Sequence, residues 1–209
     1  EVKKGLENQL FYGYLGFISE MREARKPIDA LGQDSTISDE VREDLIAQLT
    51  ALNDQVMERQ ASVIDNNPGS LFSKMLSMVR EGDVPDAPAH VQDARSWQYY
   101  HYRSHFWDRV DLSDARMVRD PAFHGLLEQY WNGVLPQMPD SMLHWGIDLI
   151  ERAENEEVFK YLVHYITYAA ESSKIMCMDL IFVEMVDRYY RKGKAPWMDD
   201  KALEKVVQR

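Results

Sequence analysis

The chain has a single cysteine, Cys177, among its 209 residues. One cysteine excludes an internal disulfide, a CxxC redox pair and a cysteine-rich zinc site within this chain. Long hydrophobic runs are also missing: none approaches the roughly 18 apolar residues that a membrane-spanning helix requires. The N-terminal segment EVKKGLENQLFYGY has charges but no apolar block before a cleavage site, which is unlike a signal peptide. We therefore expect no transmembrane segment.

Positive charge is scarce as well. The chain has 24 Lys and Arg residues against 35 Asp and Glu residues, which gives a net charge of −11. Binding to nucleic acid requires clustered Lys and Arg side chains against the phosphates, so this class of partner is not expected. Hydrophobic residues make up 45% of the chain and aromatic residues 11%. That composition is typical of a chain with a packed core.

The N-terminal part shows two helical stripes. Apolar residues in alternating steps of four and three form the first stripe: Leu10, Tyr14, Phe17, Met21, Ala24, Ile28 and Leu31. Pro27 should kink or end this helix. A second stripe follows Ser38, a good N-cap, and stops at the breaker NNPG, residues 66–69. Two long helices with a short polar connection predict an antiparallel hairpin.

The whole pattern predicts an all-α fold, namely an irregular multi-helix bundle with a long N-terminal antiparallel helical hairpin. Residues 1–82 would form the hairpin and a short third helix. Residues 83–92, which begin with DVPDAPAH, would be a linker, and residues 93–209 a C-terminal helical bundle. The chain starts at Glu1 rather than at a methionine and ends within a helical pattern, so we expect a fragment of a longer protein.

Residues 172–197 read as a helix that is apolar nearly all round, followed by a basic turn. Helices of this kind are buried, so the segment is predicted to be a central scaffold element. On a helical wheel Asp179 falls inside the apolar arc, where a carboxylate needs partners. One interpretation is a general acid or base of raised pKa. The favoured interpretation is a buried structural carboxylate between helices, because no second catalytic group can be placed beside it.

Two other groups have metal-binding side chains. His101 and His105 have a spacing that can bind zinc, but neither the Glu of an HExxH motif nor a third ligand is evident. Met176, Cys177 and Met178 are soft ligands that suit copper(I), yet adjacent helical residues point to different sides. Packing roles are favoured for both groups. Cys177 lies at the edge of the polar face and could be partly exposed. We predict no metal, no cofactor and no catalytic residue.

An aromatic block, WQYYHYRSHFW, occupies residues 97–107. At helical spacing, residues 99, 102 and 106 share one face, and residues 100 and 107 share another. One face should be core and the other exposed. The predicted ligand or partner surface consists of Trp97, Tyr100, His101 and Trp107, which could stack a ligand or grip a peptide. Packing inside the core is the alternative.

Several segments resemble a known family: YYHYRSHFWDRVDLSDARMVRDPAFHGLLEQYW, VLPQMPDS, ESSKIMCMDLIFVEMVDRYY and GKAPWMDDKALEKV, with NPGSLFSKML and the hairpin also fitting. The chain is similar to a helical domain of unknown function of Bacteroidetes, which precedes the thioredoxin-like domain of exported thiol–disulfide oxidoreductases. The resemblance implies a periplasmic or envelope location and an adjacent thioredoxin-like domain as partner. The family's reactive cysteine pair lies in that other domain, and Cys177 does not match it.

Three functions follow as hypotheses. The leading one is a non-catalytic helical module that spaces or docks the redox domain or its protein substrates. The second is a module that binds a peptide or a small ligand through an aromatic groove around residues 97–107. The third is an enzyme that uses Asp179 or the histidines.

Overall fold

A computed structural model describes residues 5–80, 82 and 84–207, apart from the side chains of Asp200 and Ala202. Within this described part, helices are the only regular secondary structure, and no strand is present. The prediction of an all-α fold is confirmed. The chain divides into two compact units, Glu1–Arg80 and Glu81–Arg209, and each is described by itself.

The N-terminal unit contains a long antiparallel hairpin, as predicted. Helix α1 spans Leu6–Gly32 and helix α2 spans Asp39–Asn66. The hydroxyl of Ser38 accepts a hydrogen bond from the backbone N–H of Val41, which confirms the predicted N-cap. Helix α1 continues through Pro27, so this proline does not end it.

Helix α3, Leu71–Val79, packs against the open end of the hairpin. Ser70 caps it through its own side chain, and Glu7 of α1 adds a second cap. The Glu7 carboxylate accepts hydrogen bonds from the backbone N–H groups of Leu71, at 2.8 Å, and Phe72, at 3.0 Å. These free N–H groups are the positive end of the α3 dipole, so a carboxylate is well placed there. A small core lies beneath them and comprises Val63, Phe72 and Leu76 with Leu10, Tyr14 and Ile64.

The C-terminal unit contains six α-helices within its described residues. They are α4 (Ala94–Ser104), α5 (Pro121–Gln129), α6 (Pro139–Glu151), α7 (Glu156–Glu171), α8 (Asp179–Met185) and α9 (Asp200–Val207). A short 3₁₀ turn, Met117–Arg119, precedes α5. Pro121 is the first residue of α5, and the side chain of Asn155 caps α7. Helices α5 and α8 each end in a π-helical turn, Tyr130–Val134 and Val186–Tyr190.

Helix α7 is the central element of this unit. It contacts both α6 and α8, and four of its side chains are fully buried: Val158, Leu162, Val163 and Ile166. The prediction that residues 172–197 form the central helix, apolar and buried all round, is wrong. Helix α7 ends at Glu171, and the chain returns to an α-helix only at Asp179.

Local hydrogen bonds account for this break. The hydroxyl of Ser172 donates to the carbonyl of Tyr168, and that of Ser173 accepts from the backbone N–H of Ile175. Such side-chain bonds compete with continued helix. Cys177 then adopts a positive φ of 67°, which a right-handed helix cannot contain.

Candidate functional site

The aromatic block is divided between the surface and the core. Tyr99 and Tyr100 are exposed, whereas Trp107 is only 2% exposed and packs against Phe123 and Tyr130. The prediction that Trp107 forms part of a ligand surface is therefore wrong. Helix α4 ends at Ser104, so the helical spacing that paired residues 100 and 107 does not extend to Trp107.

The exposed tyrosines of α4 already have a cation against them. The Arg103 guanidinium carbon lies 5.2 Å from the ring centre of Tyr99 and 5.3 Å from that of Tyr100. It is closer still to Trp145 of α6, at 4.8 Å. The hydroxyl of Tyr99 also donates to the carbonyl of Val134. A cation of the chain itself is therefore in contact with the rings of both tyrosines, which remain partly exposed.

The remaining residues of the predicted surface form a stack along α4. The ring of Trp97 lies 5.2 Å from that of His101, which in turn lies 4.3 Å from the ring of His105. His105 Nδ1 is 2.7 Å from Asp108, and Asp108 also accepts from Arg152 at 2.5 Å. Burial raises the pKa of Asp108, but the hydrogen bonds from His105 and Arg152 outweigh it and leave the pKa lowered.

No metal site is formed around these histidines by the side chains that the structure describes. Within residues 5–80, 82 and 84–207, no three His, Cys, Asp or Glu side chains lie where they could share one ion. The nitrogen Nδ1 of half-buried His101 has no hydrogen-bond partner.

The prediction that Asp179 is a buried carboxylate is wrong. Asp179 is exposed and is the first residue of α8. The helical wheel failed because it assumed a helix from residue 172 onward, and the residues before Asp179 are turns. In its actual position the carboxylate stabilises the helix, since it lies at the positive end of the α8 dipole.

The outer face of α8 is apolar and open. Four large side chains are exposed along it, and we call them the α8 face: Ile175 (46%), Met176 (85%), Leu180 (41%) and Val183 (52%). Leu180 and Val183 are neighbours on the helix surface, and Ile175 and Met176 lie in the turn just before it. Cys177 in the same turn is also exposed. Monomeric proteins seldom expose apolar side chains in such a cluster without an interaction.

A cavity lies beside this turn, at the C-terminal end of α7, and Ile175 of the α8 face also lines it. Its volume is about 380 Å³, and its walls come from α5, α6, α7 and the turn. Residues important for its chemistry are Glu128, Trp131, Gln137, Tyr165, Tyr168 and Ser172. No local sequence motif marks this site, because its residues are scattered over separate helices.

A family model described as "Domain of unknown function (DUF5106)" matches residues 38–209. The chain belongs to this family. No protein of curated function and no solved structure matches it.

The DUF5106 match begins at Ser38, the N-cap of α2, and it includes the α8 face, Cys177 and the cavity. Both candidate surfaces of the C-terminal unit therefore lie within the family's own range. None of the helices in the described part of the chain is both long and apolar enough to cross a membrane.

Proposed function

We propose that this chain is a non-catalytic helical module of an exported thiol–disulfide oxidoreductase of the cell envelope, and that it docks the thioredoxin-like domain of the same polypeptide. The observation that carries the proposal is the α8 face, with Met176 85% exposed at its edge. Burying such side chains against a partner is favourable by roughly 25 cal/mol per Å² of apolar surface. The partner itself comes from the sequence resemblance.

The chemistry of the chain agrees with a supporting role. A thiol–disulfide oxidoreductase needs a pair of cysteines, and this chain has only Cys177. In the proposed arrangement the thioredoxin-like domain supplies that pair, and the helical module holds the domain in place or presents protein substrates to it.

The first test concerns activity and the reading frame. The 209-residue chain should not reduce insulin disulfides in the presence of dithiothreitol above the uncatalysed rate. The frame that continues past Arg209 should encode a CxxC between a strand and a helix. Catalysed insulin reduction by the chain alone, or a stop codon directly after Arg209, would contradict the proposal.

The second test concerns docking. Binding of the separately produced thioredoxin-like domain to this chain is measured by calorimetry. Leu180→Glu and Val183→Glu place a charge in the α8 face and should each weaken binding at least tenfold. Ile46→Glu is the matched control, because Ile46 is 58% exposed on α2, in the other unit. Equal binding by all three variants would show that the α8 face is not the docking surface.

A further inference from the structure

We propose that the cavity at the C-terminal end of α7 binds a protonated primary amine. This site does not depend on the docking function, since the cavity and the α8 face have only Ile175 in common. A volume of about 380 Å³ falls within the range of roughly 300–1,000 Å³ that is usual for small-ligand sites. Three properties of the lining select the ligand: its aromatic rings, its charge and its hydrogen-bonding groups.

The aromatic rings lie at three depths. Trp131, only 4% exposed, forms part of the floor, Tyr165 is half-buried in the wall, and Tyr168 stands at the rim with 70% of its surface exposed. Faces of Trp and Tyr rings attract cations within about 6 Å of the ring centre. Unlike the rings around Arg103, none of these three has a Lys or Arg side chain against it among the described cation–ring contacts.

The acidic group of the lining is Glu128, whose side chain is 56% exposed at the cavity. Glu128 supplies a carboxylate, and none of the residues described in the lining is a Lys or an Arg. Burial, followed by the Glu128 charge, raises the pKa of Tyr161, and the same causes together with Tyr161 raise the pKa of Tyr165 to about 12. His124 also lines the cavity: its Nε2 lies 3.6 Å from Glu128, and its ring lies 5.7 Å from that of Tyr165. The C-terminal end of the α7 dipole adds further negative potential.

Two polar side chains of the lining, Gln137 and Ser172, keep acceptor atoms after their donors are used. Gln137 uses its amide nitrogen for the backbone carbonyls of Trp131, at 2.9 Å, and Leu135, at 3.0 Å, which leaves its carbonyl oxygen as an acceptor. The Ser172 hydroxyl donates its hydrogen to the carbonyl of Tyr168, so its oxygen lone pairs remain. An ammonium group carries three donors and no acceptor, which matches this arrangement. An anion or an uncharged apolar group would leave these acceptors unpaired.

Two sources can supply such an amine, namely the lysine side chain of a protein segment or a small free polyamine. The experiment titrates the 209-residue chain with Nα-acetyl-lysine amide, with spermidine and with neutral Nα-acetyl-norleucine amide. Binding is followed by calorimetry and by shifts of the backbone amides of Tyr165, Ser172 and Ser173 in ¹H–¹⁵N NMR spectra. We expect saturable binding of at least one amine, shifts at these three amides, and no binding of the norleucine compound.

Two variants test the assignment. Glu128→Gln should weaken amine binding about tenfold or more. Glu43→Gln on α2 is the control, because it also removes one negative charge but at a position distant from Glu128 in the sequence. Tyr168→Leu changes an exposed rim residue, keeps the fold and should weaken binding severalfold. Tighter binding of the lysine amide assigns the site to a protein segment, and tighter binding of spermidine assigns it to a small amine. Absence of binding by both amines, or affinities that Glu128→Gln and Tyr168→Leu leave unchanged, would overturn the proposal.

Discussion

The guanidinium of Arg103 in α4 lies 4.8 Å from the ring centre of Trp145 in α6. Two tyrosine rings of α4 complete its surroundings, and the nitrogen Nε of Arg103 is buried without a hydrogen-bond partner. A half-buried cation that lacks this bond depends on ring faces for compensation. This contact joins α4 to α6. The Arg103 guanidinium also lies against Tyr100, one of the residues for which the sequence predicted a ligand surface.

Replacing Arg103 should therefore destabilise the C-terminal unit. Arg103→Met retains the length and apolar stem of the side chain but removes its charge, and the free energy of unfolding should fall by about 1–2 kcal/mol. Guanidinium chloride unfolding followed by tryptophan fluorescence is a suitable measurement, since all five tryptophans lie within Glu81–Arg209.

A matched control for Arg103 is Arg188, whose partner is Glu184, one turn away on an exposed helix surface. Exposed ion pairs of this kind contribute little, so Arg188→Met should change the free energy of unfolding by no more than about 0.5 kcal/mol. Equal losses for the two variants would mean that the ring contacts of Arg103 add no specific stability.

Features set by neighbouring residues were predictable from the sequence. Ser38, Ser70 and Asn155 each cap a helix through their own side chains, and Pro121 opens one. These are short-range rules of backbone hydrogen bonding, so they need no knowledge of the tertiary structure.

Features that depend on where a helix stops were not predictable. Trp107 lies in the core because α4 ends at Ser104, before it. Asp179 is exposed because α8 starts at Asp179 itself rather than at residue 172. A helical wheel assigns faces only within one continuous helix, so an error in a boundary changes every assignment beyond it. The cavity needed the tertiary fold itself, since Glu128, Trp131 and Tyr165 come from different segments.

Gly146 of α6 allows the close approach of Trp131. A Cβ atom at this position would lie 3.1 Å from Cζ3 of Trp131 and 3.4 Å from Cδ1 of Ile166, and both side chains are buried. Gly146→Ala should lower the free energy of unfolding by about 1–2 kcal/mol, because overpacking outweighs the gain in helix propensity. Thermal or denaturant unfolding measures the change.

Gly125 of α5 provides the opposite case. No atom lies within 4 Å of a Cβ built there, and the residue is exposed in a helix interior. Gly125→Ala should therefore raise the free energy of unfolding by about 0.5–1 kcal/mol. If both alanine variants stabilise the unit, Trp131 does not pack against Gly146 as the structure shows.

Buried phenols make the C-terminal unit sensitive to alkali. Burial, with the charge of Glu151 adding to it, raises the pKa of Tyr189 to about 12. The unfolded phenol ionises near its ordinary value of roughly 10. Its contribution to stability is therefore complete below pH 10 and is lost as the pH rises toward 12.

Tyr189→Phe tests this contribution, since it keeps the ring that packs against Phe159. At pH 7 the variant should match the parent within about 0.5 kcal/mol. Between pH 9 and pH 11 its free energy of unfolding should fall less steeply than that of the parent. Parallel curves over that interval would show that the phenol of Tyr189 ionises alike in the folded and unfolded chains.

In the N-terminal unit, Glu7 links the start of α1 to the start of α3 through two backbone N–H groups. Glu7→Ala should cost about 1 kcal/mol, the usual contribution of a helix cap, and so speed hydrogen exchange at the amides of Leu71 and Phe72 about fivefold. Exposed Glu20 lies farther along α1 and provides the control, because Glu20→Ala removes a charge without touching α3. Unchanged exchange at Leu71 and Phe72 in Glu7→Ala would mean that water caps α3 equally well.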